Sequence, residues 1–150
     1  MNNDLKMVIT DNDKWTISEG ENDNKPFLLR FRPHLQPFCK IGLYNIRVAL
    51  FLIYESDNPE CLPSDGQFEL FKELEDKLIE NLESDLLAVL AFIYTGNNQK
   101  EWHFYTHQID QFETRINNIL DQFSYDNYIE LQVENDPSWN EYQSVLSGAE

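Results

Sequence analysis

The order of apolar and polar positions sets out most of the elements. From Leu43 to Tyr54, and again from Leu86 to Tyr94, apolar residues run almost unbroken, as strands buried on both faces do. Between them Phe68, Phe71, Leu74, Leu78 and Leu82 recur at helical spacing, opposite an acidic face. Ser64-Asp65-Gly66-Gln67 precedes that stripe with capping-box spacing, so the helix starts there. Thr95-Gly96-Asn97-Asn98 is a hairpin turn rich in residues that tolerate positive φ, and Trp102 to Thr106 is the returning strand. A second helix carries Ile109, Phe112, Ile116, Ile119, Leu120 and Phe123 on one face. Tyr128 to Val133 then alternates strictly and reads as a fourth strand.

The flanks are less regular. Two apolar pulses, Met7-Val8-Ile9 and Trp15-Thr16-Ile17, enclose Asp11-Asn12-Asp13; this turn chemistry predicts a small hairpin or an edge strand. Glu19 to Asn24 reads as an exposed loop, and Phe27 to Pro33 as a short strand that its second proline closes. Pro137 suits the first turn of a last short helix through Val145.

From Leu43 the order is β-α-β-β-α-β. The expected class is α+β, a ferredoxin-like antiparallel sheet with both helices on one side, extra N-terminal strands and a short C-terminal helix. One domain is expected over 1–150: an N-terminal strand extension at 1–42, the core at 43–134, and a helix and tail at 135–150. Two helices cover one sheet face only, and an uncovered second face would exceed the few hundred Å² of apolar patch usual for a monomer. The expected cover is the N-terminal strands, assisted by a homodimer contact.

Composition narrows the function classes. The 150 residues hold 11 Lys+Arg against 27 Asp+Glu, a net charge of −16, which disfavours nucleic acid and anionic membranes. Neither apolar stretch, Val48 to Tyr54 or Leu86 to Tyr94, is nearly long enough to span a bilayer. Met1-Asn2-Asn3-Asp4 lacks the basic, then apolar, character of a secretory signal. Cys39 and Cys61 form no C-x-x-C pair. Free thiols in a reducing cytoplasm are therefore expected.

Candidate chemistry is sparse. His103, Tyr105 and His107 share one strand face if the strand runs that far, but no Asp, Glu or Cys is placed to complete a metal site. A surface or packing role outweighs a metal or acid–base role, His107 falls in the turn before the helix, and neither metal nor cofactor is expected. Lys40 could lower the thiol pKa of Cys39, though an ordinary free cysteine is the better reading. No nucleophile elbow or phosphate-cradling glycine loop occurs, so no catalytic residue is assigned. Residues 24–54 contain five Lys/Arg and no carboxylate. Arg30 and Arg32 share one strand face there; they either neutralise the acidic remainder or, with His103 and Tyr105, form an anion pocket. The helix acids Glu69, Glu73, Asp76 and Glu80 form either a solvated face or a docking surface for a basic protein.

The tail Asp136-Pro137-Ser138-Trp139-Asn140-Glu141-Tyr142 resembles the closing signature of a bacterial family known as domain of unknown function 695. Phe104-Tyr105-Thr106 followed by an amphipathic helix, and the early Trp15, are similar to that family's layout, over about residues 12–146. The family carries no assigned reaction, so the resemblance transfers no catalytic residue. Its members resemble, and are sometimes joined to, the regulator-of-ribonuclease-E-activity B type of protein, acidic inhibitors that bind an enzyme. That link implies a non-catalytic, regulatory protein-binding role. In the residues themselves, Asp136 caps a helix while Trp139 and Tyr142 face one side, as a lock onto the sheet or, alternatively, as a binding rim.

Overall fold

The computed structural model describes residues 2–22, 24–122 and 129–148. In chain order the elements are α1 (Asn2–Val8), β1 (Thr16–Asn22), β2 (Lys25–Phe31), α2 (Gln36–Lys40), β3 (Ile46–Ile53), α3 (Asp65–Glu83), β4 (Ala88–Gly96), β5 (Gln99–Thr106), α4 (Ile109–Asp121), β6 (Ile129–Asn135) and α5 (Asn140–Gly148). The chain is α+β. Among the described residues six strands make one sheet, ordered β1-β2-β4-β5-β3-β6, with every neighbouring pair antiparallel. Phe123 and Tyr128, expected on the second helix and the fourth strand, lie outside the described residues. No helix among those residues is long and apolar enough to cross a membrane.

Local chemistry explains the best-formed elements. The Ser64 hydroxyl accepts from Gln67 N at 3.2 Å, and the Gln67 side chain accepts from Ser64 N at 2.8 Å, closing the capping box that starts α3. Asn97 and Asn98 hold φ of 51° and 64°, the left-handed pair that a two-residue hairpin between β4 and β5 requires.

One sheet face carries Val48, Leu50 and Leu52 of β3, Leu90 and Ile93 of β4, and Trp102 and Phe104 of β5. Against it pack the stripes of α3 and α4, from Phe71 to Leu82 and from Phe112 to Ile119. The opposite face carries Val89, Ala91 and Phe92 of β4 and Tyr105 of β5. Ala91 and Phe92 share that face because the β4–β5 register slips between Leu90 and Phe92, a bulge that turns two successive side chains the same way.

The cover of this second face differs from expectation. The N-terminal strands extend the sheet sideways as β1 and β2; they do not lie over it. Helices α1, α2 and α5 cover it, with Leu5 and Ile9, Leu35 and Phe38, and Trp139 and Tyr142 in one buried cluster. The pulse at Met7-Val8-Ile9 belongs to α1 and the turn after it, not to a strand. The helix period wins because Leu5 and Ile9, four apart, both face the sheet. Glu19 to Asn22 is strand, not loop, held by the full β1–β2 register.

The tail closes this cluster, and α5 begins three residues after Pro137. Asp136 Oδ1 accepts from Asn140 N at 2.7 Å and Oδ2 from Glu141 N at 3.1 Å, so one carboxylate caps α5 across Trp139, whose φ is 56°. Tyr105 donates to Asp136 Oδ2 at 2.7 Å, and its ring stacks on Trp139 at 3.8 Å. Trp139 Nε1 donates to Tyr44 O at 2.9 Å, and the Tyr142 hydroxyl donates to Arg32 O at 2.6 Å. Trp139→Ala removes a fully buried ring and one buried hydrogen bond. It should cost about 3–5 kcal/mol, lowering Tm by roughly 10 °C in thermal unfolding followed by circular dichroism; an unchanged Tm would contradict the lock.

Candidate functional site

The two strand arginines meet two glutamates of α3. Glu75 and Glu83 lie eight residues apart, two turns, so both project from the sheet-facing side of α3 and are buried. The Arg32 guanidinium is 2% exposed and all but consumed. Nη1 donates to Glu83 Oε2 at 2.6 Å and to Leu90 O at 3.0 Å, and Nη2 donates to Glu83 Oε1 and Asp13 Oδ2, each at 3.2 Å. Its Nε lies 3.0 Å from Asp13 Oδ1. Arg32 is thus placed in an internal ion pair, stacked over Trp15, with both terminal nitrogens hydrogen-bonded inside the protein and its Nε buried beside Asp13.

Arg30 is placed differently. Its Nη1 reaches the two Glu75 oxygens at 3.3 and 3.4 Å, and its other nitrogens have no hydrogen bond among the described residues. It borders a cleft of about 400 Å³ between α3 and the β2-β4-β5 part of the sheet. Trp15 and Leu28 wall one side, Phe68 and Ile79 the other, and Thr95 and Lys100 form the floor. Lys72 and Asp76, paired at 3.5 Å, stand at the rim.

Lys100 is the unusual group. It is 5% exposed, and its Nζ makes one hydrogen bond among the described residues, to Thr95 Oγ1 at 3.1 Å. The rings of Phe68 and Trp102 lie 5.7 Å from it. Glu75, the nearest source of compensating charge, spends its oxygens on Arg30 and on Trp102 Nε1 at 3.1 Å. Burial therefore holds the Lys100 ammonium down to about 8; the Glu75 charge resists that shift and the Arg30 charge adds to it. The sequence carried a signal for this residue: Lys100 shares strand parity with Trp102 and Phe104, so it had to face the core.

The structure does not bring Arg30 and Arg32 together with His103 and Tyr105, because the two pairs face opposite sides of the sheet. His103 stacks on Phe92 at 4.2 Å. Its Nδ1 lies 3.0 Å from Arg47 Nη1, which can only donate, so the ring proton sits on Nε2 and is given to Glu101 Oε1 at 2.9 Å. Tyr105, with Trp139 and Tyr142, is spent on the tail lock; all three side chains are buried, so neither Trp139 nor Tyr142 presents a rim to a partner. His107 is exposed in the bend after β5. Burial pushes the Cys39 thiol up to about 11, away from a reactive thiolate. Glu69, Glu73, Asp76 and Glu80 are exposed along α3. No group of three or more His, Cys, Asp or Glu among the described residues is placed to hold a metal ion.

A desolvated ammonium with no carboxylate at salt-bridge distance among the described residues should cost stability. Lys100→Met keeps the length of the side chain, fills the same space and leaves Glu75 its Arg30 and Trp102 partners. It should raise stability by about 1–3 kcal/mol near neutral pH, seen as a higher Tm. The sign follows from the lowered value. Below pH 8 the lysine is charged folded and unfolded, so the penalty is complete. Between about 8 and 10.4 the folded form has shed its proton while the unfolded chain keeps it, so the wild type gains stability as pH rises and the variant's advantage fades. A Tm lower than wild type at pH 7 would show that Lys100 stabilises the fold.

No curated protein matches the chain. A family model described as "Family of unknown function (DUF695)" matches residues 13–147, which takes in Trp15, the cleft and the tail lock. The chain belongs to that family.

Proposed function

We propose that the protein binds a small anionic ligand, a carboxylate or phosphate, in the cleft under α3, with Arg30 and Lys100 as its recognition groups. One observation carries this reading. In a chain of net charge −16, an arginine with unpaired donors and a lysine with no carboxylate at salt-bridge distance, both among the described residues, line one cleft with aromatic walls. Such a site has the shape and the few convergent polar groups of small-molecule pockets, and Arg30 supplies the planar fork that suits carboxylates and phosphates. Sequence reasoning had grouped Arg30 with Arg32, His103 and Tyr105; in this reading Lys100 and Thr95 replace those three. The fold beneath is read as a ferredoxin-like unit from β3 to β6, supported by the strand order β4-β5-β3-β6 and by the packing of α3 and α4 on one face. Two free cysteines fit a reducing compartment, and on that ground we place the protein in the cytoplasm.

A second reading rests on α3. Glu69, Glu73, Asp76 and Glu80 are exposed, and only Asp76 is ion-paired among the described residues. That row suits docking to a basic protein, in line with the enzyme-binding analogy drawn from the sequence. Such a complex should dissociate as salt rises, because exposed charges are screened within about 8–10 Å near physiological ionic strength. A homodimer would instead bury the open end of the second sheet face around Phe51 and Ile53, and sedimentation reads it directly.

The ligand reading is tested by thermal shift with small mono- and dicarboxylates and inorganic phosphate. A ligand at a hundred times its Kd should stabilise by about 2.7 kcal/mol. Arg30→Ala should abolish the shift without unfolding the chain, since that side chain is 34% exposed. The shift should also weaken as pH rises through about 8, where Lys100 loses its proton. Absence of stabilisation by any of these anions would remove the proposal.

A further inference from the structure

We propose that Lys100 captures the carbonyl of an oxo acid as an imine, with Arg30 holding the ligand's carboxylate. The inference rests on the anion-binding reading of the cleft and names its ligand class.

Three features of the geometry support it. Lys100 lines the cleft, with the Phe68 and Trp102 rings each 5.7 Å from its Nζ. Its one hydrogen bond is to the Thr95 hydroxyl. A hydroxyl can accept from an ammonium and donate to a neutral amine, so it accommodates both protonation states. The neighbouring charges lie on two elements: Arg30 on β2, and Glu75, Lys72 and Asp76 on α3. None of the carboxylates lies at salt-bridge distance from Nζ, so none locks the amine as an ammonium. A lysine desolvated among aromatic rings and beside a second cation is a recognised form of activated amine. With a value near 8, about a tenth of it is neutral at pH 7, against roughly 0.04% for an exposed lysine.

The chemistry closes without a co-reactant. The Nζ lone pair attacks the carbonyl carbon and forms the C–N bond. The carbonyl π pair moves to oxygen, which takes a proton as nitrogen gives one up, leaving a carbinolamine. Loss of that hydroxyl with the remaining nitrogen proton releases water and forms C=N. Nothing is oxidised or reduced. Arg30 determines which carbonyl compounds enter, because a simple aldehyde offers its guanidinium nothing to pair with.

The test uses the full chain with pyruvate or levulinate, whose carboxylate and ketone lie at two different spacings. Borohydride is added to reduce any imine, and intact mass and peptide mapping follow. The expected product is one reduced adduct per chain, on Lys100, formed at least about a hundredfold faster than on exposed Lys72 or Lys77, following the ratio of neutral amine. Lys100→Met should lose the adduct while staying folded, and Arg30→Ala should lose most of it while retaining Lys100. Lactate, which has the carboxylate and no carbonyl, separates the two readings. Stabilisation by lactate with no adduct, or with adduct spread over the exposed lysines, would overturn imine capture and leave the anion site standing. Stabilisation by neither lactate nor the oxo acids, with no adduct on Lys100, would overturn both.

Discussion

Strand β4 is buried along both faces, and that constraint determines where the other elements go. From Ala88 to Ile93 its side chains are at most 4% exposed, so apolar cover is needed above and below. Two amphipathic helices supply one side. The other is closed by pieces from the two ends of the chain: α1 and α2 from the N-terminal third and α5 from the tail. The bulge at Ala91 belongs to the same solution. It gives the second face Phe92 as well as Ala91 and, beyond the slip, returns Ile93 to the first face. Apolar burial of this kind is non-directional, so it needs groups with direction to fix its register. Asp136 is one, capping α5 and taking the Tyr105 hydroxyl with a single carboxylate.

The first face is held differently at its β2 side. There α3 contributes two glutamates, β2 contributes Arg30 and the segment just after it Arg32, and the two pairs end differently. Around Arg32 the charge is met by two carboxylates, Glu83 and Asp13: Glu83 also accepts from Leu90 N at 2.7 Å, and Trp15 lies over the guanidinium. Around Arg30 it is incomplete, because Glu75 is shared with Trp102 and a third cation, Lys100, has been added. A sealed ion pair anchors α3 at its C-terminal end while the other end opens into the cleft. An excess buried cation beside Arg30 and Glu75 costs stability, as groups retained for function often do. A buried pair such as Arg32–Glu83 is weak evidence for function; an excess buried cation beside an open space is stronger.

The sequence revealed what local chemistry dictates and left out what long-range packing decides. Ser64 and Gln67, and Asn97 and Asn98, act on their own neighbours, so α3's start and the β4–β5 turn were legible. The α3 and α4 stripes and the alternation of β6 were legible because period alone identifies them. Met7-Val8-Ile9 was too short to distinguish helix from strand, and only the sheet face beneath it decides. The five residues of α2 carry no stripe at all. Glu75 and Glu83 were invisible for a different reason: among so many acids on α3, nothing local distinguishes two that turn inward. Lys100 was legible in principle, since its parity with Trp102 and Phe104 was on the page. Its partners were not, because Arg30 and Glu75 reach it only through the strand order.

The same distinction separates the tail string from the candidate site. Asp136, Trp139 and Tyr142 form a recognisable string because a cap, a stacked ring and a hydroxyl must sit at fixed offsets around the start of α5 to lock one tail onto one sheet. Each is satisfied inside the protein, so the string reports how the fold is closed. Arg30, Glu75, Thr95 and Lys100 come from four elements, with no common spacing and no residue type that stands out alone. Their meaning lies in what remains unsatisfied among the described residues: donors on Arg30 without a hydrogen bond, and on Lys100 a charge with no carboxylate at salt-bridge distance. A motif search finds groups that satisfy one another along the chain, whereas a binding site is built from groups whose last partner is the ligand. The second kind of pattern becomes visible only when the sheet brings the residues together.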